Sequence, residues 1–126
     1  MGLFNAILGN ASSVETEKVA EEFTPLLIPG ETITGAYRLI RDMFVFTSRR
    51  LILVDKQGMT GRKTEYVSIP YADISRFSVE TAGHFDLESD LKIWLRGHAE
   101  PMRFTVPRGG AILEVQRLLA TGVLAK

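Results

Sequence analysis

Apolar residues recur along this chain first at helical spacing and then at alternating spacing, and the switch falls at Pro29-Gly30. Leu3, Phe4, Ile7 and Leu8 form an apolar stripe with a helical period. Ser12-Ser13-Val14-Glu15 then has the form of a capping box, in which the Ser12 hydroxyl and the Glu15 carboxylate each satisfy a backbone amide at the start of a helix. That helix carries Val14, Val19, Ala20 and Phe23. It ends near Thr24, because Pro25 pushes the residue before it out of the helical region. Residues 1–30 are thus expected to be a helical extension ahead of a domain spanning residues 31–126.

Beyond Gly30 the period becomes two, as a strand with one buried face requires. Thr32, Thr34 and Ala36 alternate with Ile33, Gly35 and Tyr37 in a first strand over about residues 31–40. Met43–Thr47 and Leu51–Asp55 follow, joined tightly at Ser48-Arg49. Turn residues near Gly58 and Gly61 lead to Glu65–Ile69, which Pro70 breaks, and Ile74–Thr81 comes next. Leu91, Ile93 and Leu95 alternate with Lys92, Trp94 and Arg96, and Met102, Phe104 and Val106 alternate with Arg103 and Thr105. Ile112, Val115, Leu118 and Leu119 then make a last helical stripe over about residues 109–121, stopped at Gly122. Seven short strands joined by short turns, followed by one amphipathic helix, predict a mainly β chain: a seven-stranded antiparallel barrel or sandwich with a C-terminal capping helix. Its expected core is Phe77, Val79, Leu91, Ile93, Leu95, Phe104, Val106, Ile112, Val115 and Leu118.

The second and third strands depart from alternation. Met43 and Val45 are as apolar as Phe44 and Phe46, and Leu51 and Leu53 as apolar as Ile52 and Val54. An antiparallel sheet with one wet face has polar residues at every second position, so something must cover the other side of this pair. Either the N-terminal helices do so or a second copy of the chain does. Met43, Val45, Leu51 and Leu53 are accordingly candidates for an oligomer interface, together with Trp94, which shares a face with Lys92 and Arg96.

Composition narrows the chemistry. At 126 residues, 45% of them hydrophobic, the chain can build one core without disulfides. It has no cysteine, which removes thiolate metal sites and cysteine nucleophiles. Fifteen basic and fifteen acidic side chains cancel, so the general positive field of a nucleic-acid binder is absent. The middle, residues 31–77, is mildly basic, with eight basic against five acidic side chains. The first ten residues lack both the basic start of a signal peptide and the length of a membrane span. A cytoplasmic location is expected.

Catalytic and metal chemistry find little footing. Gly58-Met-Thr-Gly61-Arg-Lys63-Thr64 lacks the spacing of a phosphate-binding loop and sits between strands, where a glycine-rich hairpin turn explains it. His84, Asp86, Glu88 and Asp90 alternate through a loop, but without the glycine and the distal glutamate of a calcium loop. His98 follows Gly97 at a strand end with no partner in view. No cofactor, metal or catalytic residue is expected, and the chain is expected not to be an enzyme.

Several runs carry a family likeness: Tyr37-Arg-Leu-Ile-Arg-Asp42, Phe46-Thr-Ser-Arg-Arg-Leu-Ile52, Gly58-Met-Thr-Gly61, Ser68-Ile-Pro-Tyr71, and the stretch from Ile74 to Gly83. With these the chain resembles the bacterial pleckstrin-homology (PH) domain family over about residues 14–121. The resemblance implies a seven-stranded barrel closed by a C-terminal helix and a tendency to assemble into symmetric rings. It implies no activity. In eukaryotic relatives of the fold, inositol phosphates bind basic residues between the first strands. Here Arg38 and Arg41 stand at the corresponding hairpin, with Asp42 directly after them. Arg38, Arg41, Arg49, Arg50, Arg62 and Lys63 are therefore the candidates for an anionic ligand or an acidic partner patch. The expected function is a binding or scaffold module that assembles with itself into a homo-oligomeric ring, with another protein as a further partner and nucleic acid excluded. The alternative is a peripheral membrane module for anionic lipid headgroups.

Overall fold

The computed structural model describes residues 19–39, 42–57, 63–81, 88–107 and 111–125. Residues 19–23 are helical and run into a 3-10 turn, Thr24–Leu26, with Pro25 at its start. The strands are β1 (Ile33–Arg38), β2 (Asp42–Thr47), β3 (Arg50–Gln57), β4 (Lys63–Pro70), β5 (Ile74–Thr81), β6 (Ser89–Leu95) and β7 (Met102–Val106). A 3-10 turn, Tyr71–Asp73, links β4 to β5, and Ala111–Leu124 form the C-terminal helix. The strands make two antiparallel sheets, ordered β1-β2-β3-β4 and β5-β6-β7, so the architecture is the sandwich form of the expected fold and not a closed barrel.

The two-residue connection Ser48-Arg49 sets the register of the first sheet. It places Phe46 opposite Leu51 and Phe44 opposite Leu53, and directly opposed residues share a face. These four side chains point inward and meet Leu91, Ile93 and Val106 of the second sheet and Ile112, Val115 and Leu119 of the helix. The Phe44 ring packs edge-on to Phe46 at 6.1 Å and to Phe104 at 4.8 Å between centroids, a favoured aromatic geometry. All ten residues expected in the core lie in or against this cluster.

The outer face of the same sheet forms a second apolar cluster. Ala36, Val45, Ile52 and Val54 are buried together with Val19 and Phe23, and Leu27 and Met43 pack against them. The covering of the doubly apolar strands is therefore supplied by the chain's own residues 19–27. Phe23 is fully buried there and meets Tyr66 edge-on at 5.7 Å.

Two expectations need correction. Leu51 and Leu53 are core residues of the inner face, not members of an outer interface with Met43 and Val45. Gly122 does not stop the last helix, which continues to Leu124. Its role is close packing: a Cβ at this position would stand 2.5 Å from the Tyr71 ring.

Candidate functional site

Of the six candidate cations, the four that the structure describes do not converge. Arg41 and Arg62 lie outside the described residues. Arg38 closes β1 and Lys63 opens β4, both exposed, at one end of the first sheet. Arg49 and Arg50 stand at its other end, where β2 turns into β3. At about 3.4 Å per residue, the eight residues of β3 separate the two groups.

Arg50 is committed inside the molecule. Its Nε donates to Glu31 Oε2 at 2.9 Å and one terminal nitrogen to Glu31 Oε1 at 3.0 Å, a two-pronged ion pair. That same nitrogen donates to the Leu26 carbonyl at 2.6 Å, and the other to the Ser68 hydroxyl at 2.9 Å. Glu31 also accepts from the Ile28 amide at 3.0 Å and from the Thr47 hydroxyl at 2.5 Å. The Thr47 oxygen in turn accepts from the amides of Arg49 and Arg50, shaping the tight turn that put Arg50 in place. The Glu31 side chain has no solvent exposure and that of Arg50 only 21%. Burial pushes the Glu31 carboxyl up, but hydrogen bonds from Arg50, Thr47 and Ile28, with the Arg50 charge, outweigh it and hold the carboxyl at about 2. This group is a clamp. It fastens the covering segment, through Leu26, Ile28 and Glu31, to β2, β3 and β4.

Two tyrosines reinforce the frame. The Tyr71 hydroxyl donates to the Thr47 carbonyl at 2.8 Å, and the Tyr37 hydroxyl to Glu114 of the C-terminal helix at 3.0 Å. Burial raises both phenols above their ordinary value, and for Tyr37 the Glu114 charge adds to the effect. Neither phenol ionises at neutral pH, so both serve as donors.

Of the interface candidates, Val45 is fully buried under Phe23 and Val19, and Met43 is half-buried at the edge of that cluster. Trp94 is half-buried on the outer face of the second sheet, where the Arg76 guanidinium lies 4.2 Å from its ring centroid. His84 and Asp86 lie outside the described residues, whereas His98 is exposed. Among the described residues, no group of three or more His, Asp or Glu is placed to hold a metal ion, and no helix is long and apolar enough to cross a membrane.

Reasoning from the sequence missed Glu31. A lone acid after a Pro-Gly turn has no local signature, and its partner stands 19 residues away. It also missed that Lys92 belongs to a charged surface with Glu80, Asp90 and Arg103. These four residues, with Phe104 and Thr105, line an open cavity of about 310 Å³ on the second sheet.

Known proteins share this design. The model of the bacterial PH domain family matches residues 2–123, which includes the N-terminal cover. The uncharacterized protein YjqA of Bacillus subtilis (strain 168) is 52% identical over 121 residues, covering 95% of this chain and 97% of that protein. The crystal structure of a pleckstrin homology domain from Shewanella amazonensis SB2B superposes with a TM-score of 0.78 at 47% identity, over 96% of this chain and 98% of that one. A second crystal structure, a DUF1696 family protein with a pleckstrin-homology domain from Shewanella loihica PV-4, gives 0.75 at 44% identity over 85% and 92%. Two sheets and a closing helix in this order, under a family match that runs nearly from end to end, make the chain a member of the bacterial pleckstrin-homology domain family.

Proposed function

We propose that this chain is a non-enzymatic binding and scaffold module of the cytoplasm that assembles with copies of itself into a closed ring. The observation that carries this reading is apolar surface left over after the outer face is sealed. Leu26, Ile28 and Tyr66 sit on or beside the N-terminal cover, yet they are 41%, 55% and 40% exposed. Large apolar side chains grouped beside an already closed cluster suit a protein contact. Each sheet also ends in two edge strands, β1 and β4 in one, β5 and β7 in the other. Head-to-tail pairing of such edges covers their unpaired backbone groups and closes into a ring when the rotation permits.

The lipid-headgroup alternative is weaker. One of its candidate cations, Arg50, already donates to Glu31, Ser68 and Leu26. The exposed cations Arg38, Arg49 and Lys63 are divided between the two ends of one sheet. Light scattering tests the proposal: the expected mass is a whole multiple of 14.0 kDa, and a 14.0 kDa particle at micromolar concentration would refute self-assembly. Co-sedimentation with anionic vesicles by such a monomer would favour the alternative.

A further inference from the structure

Among the described residues, the exposed large apolar side chains fall into two groups. Leu26, Ile28 and Tyr66 belong to the N-terminal cover and the strand beside it. Leu113 and Leu124, 47% and 67% exposed, belong to the C-terminal helix. The interval between those two leucines is three helical turns at about 3.6 residues each, so they share one face, in a stripe about 16 Å long. Arg117 is exposed one turn after Leu113 on that same face. Ile112, Val115 and Leu119 of the helix are buried in the central core, which puts the stripe on the outer side.

The two groups lie on opposite sides of the first sheet. The cover packs on the apolar cluster of its outer face and the helix on that of its inner face, so the patches of one copy do not meet each other. They also differ in charge. Glu21 and Glu22 are exposed on the cover just ahead of Leu26, whereas the stripe holds the cation of Arg117 between its leucines.

We propose that the outer stripe of the C-terminal helix receives the cover of the next copy, a contact that rests on the self-assembly proposed above and names its two halves. Leu113 and Leu124 of one copy meet Leu26, Ile28 and Tyr66 of the other, and Arg117 meets the acids of the cover. Glu22 already accepts from the Tyr66 hydroxyl at 3.2 Å, and a carboxylate has acceptor sites left for a guanidinium. Because the contact joins unlike patches, it is heterologous: every added copy presents a fresh cover at one end and a fresh stripe at the other. Growth stops only when the last copy meets the first, which is the head-to-tail ring.

Charge and shape select this occupant over a membrane. A helix that lies in a bilayer surface buries a broad apolar face and carries several cations beside it. Here the broad apolar face is already spent on the core, and the stripe offers two leucines and one arginine. The cover of another copy supplies both complements, exposed apolar side chains and carboxylates.

Two blocked variants give the test, with light scattering as the readout and circular dichroism to verify folding. Leu113→Asp/Leu124→Asp spoils the stripe and leaves the cover, whereas Ile28→Asp spoils the cover and leaves the stripe. Each alone is expected to fall to 14.0 kDa. Mixed in equal amounts they retain one intact pair of patches, so the expected product is a dimer of twice 14.0 kDa that grows no further. Arg117→Glu spares both leucines and is expected to lower the assembled mass; an unchanged mass would remove the charge pairing. If the parent assembles and the stripe variant keeps its mass, the helix face is wrong while self-assembly stands. A mixture that stays at 14.0 kDa, or that regains the parent's mass, shows that cover and stripe do not pair. A monomeric parent overturns both the contact and the ring. Co-sedimentation of that monomer with anionic vesicles, lost in the stripe variant, would assign the stripe to a membrane instead.

Discussion

Gly122 shows how one residue can be chosen for its neighbour and not for its own element. In the middle of an exposed helix, Gly→Ala stabilises by about 1 kcal/mol. Here the added methyl would meet a Tyr71 ring that is buried and anchored through its hydroxyl to Thr47, with no room to retreat. Gly122→Ala is therefore expected to reverse sign and destabilise by about 1–3 kcal/mol, read from the midpoint of urea unfolding. A stabilised variant would show that the ring can yield. The clamp makes the opposite kind of demand, because it holds a carboxylate with no access to water. Arg50→Ala leaves Glu31 charged and unpaired, an arrangement that costs about 3–5 kcal/mol. The pH dependence follows from the same carboxyl. Its folded value of about 2 lies below the ordinary 4.5, so it adds stability above about pH 4.5 and loses it progressively as pH falls toward 2. Glu31→Gln is expected to be less stable than the parent at pH 7 and to show a flatter acid limb in thermal unfolding. An unchanged acid limb would remove Glu31 from that role.

Among the elements, the N-terminal cover is the one whose energetics stand apart. Its apolar contacts belong to a cluster distinct from the central core, so its packing can be perturbed without opening the sandwich. Phe23→Ala removes the largest side chain of that cluster and is expected to cost about 3–5 kcal/mol. Hydrogen exchange checks the location of the damage: amides of the first sheet should lose protection before those of β6. Equal loss in both sheets would mean that the two clusters act as one. The order of elements was legible from periodicity, since strands with one wet face, such as β6 and β7, announce themselves by alternation. The faces of β2 and β3 were not, because both sides are apolar and alternation carries no information there. The Ser48-Arg49 turn did hold the answer. A two-residue connection forces Phe46 opposite Leu51, which places Leu51 and Leu53 with the phenylalanines. The Arg50–Glu31 pair was invisible for a different reason, since it depends on how a segment outside the sandwich folds back on it.

At the scale of the whole molecule, the leftover apolar surface on the cover sets the expected assembly. Ile28 is 55% exposed and makes its hydrogen bonds with Glu31 through the backbone alone, so Ile28→Asp should leave the fold intact. If that surface is part of the ring contact, the variant is expected to lower the mass in light scattering while keeping the parent's circular dichroism. A variant with the parent's mass would move the ring contact elsewhere. The cover has one more consequence, in time. The covering segment docks on β2, β3 and β4, and its partner on β4, Tyr66, whose ring meets Phe23 and whose hydroxyl donates to Glu22, does not exist until residue 66 has been made. On a ribosome adding about 5–20 residues per second, Val19 and Phe23 wait for seconds beyond their own synthesis before a surface is ready to receive them. Residues of the cover thus settle only after later ones exist, and during that interval their apolar side chains are open to whatever else meets the nascent chain.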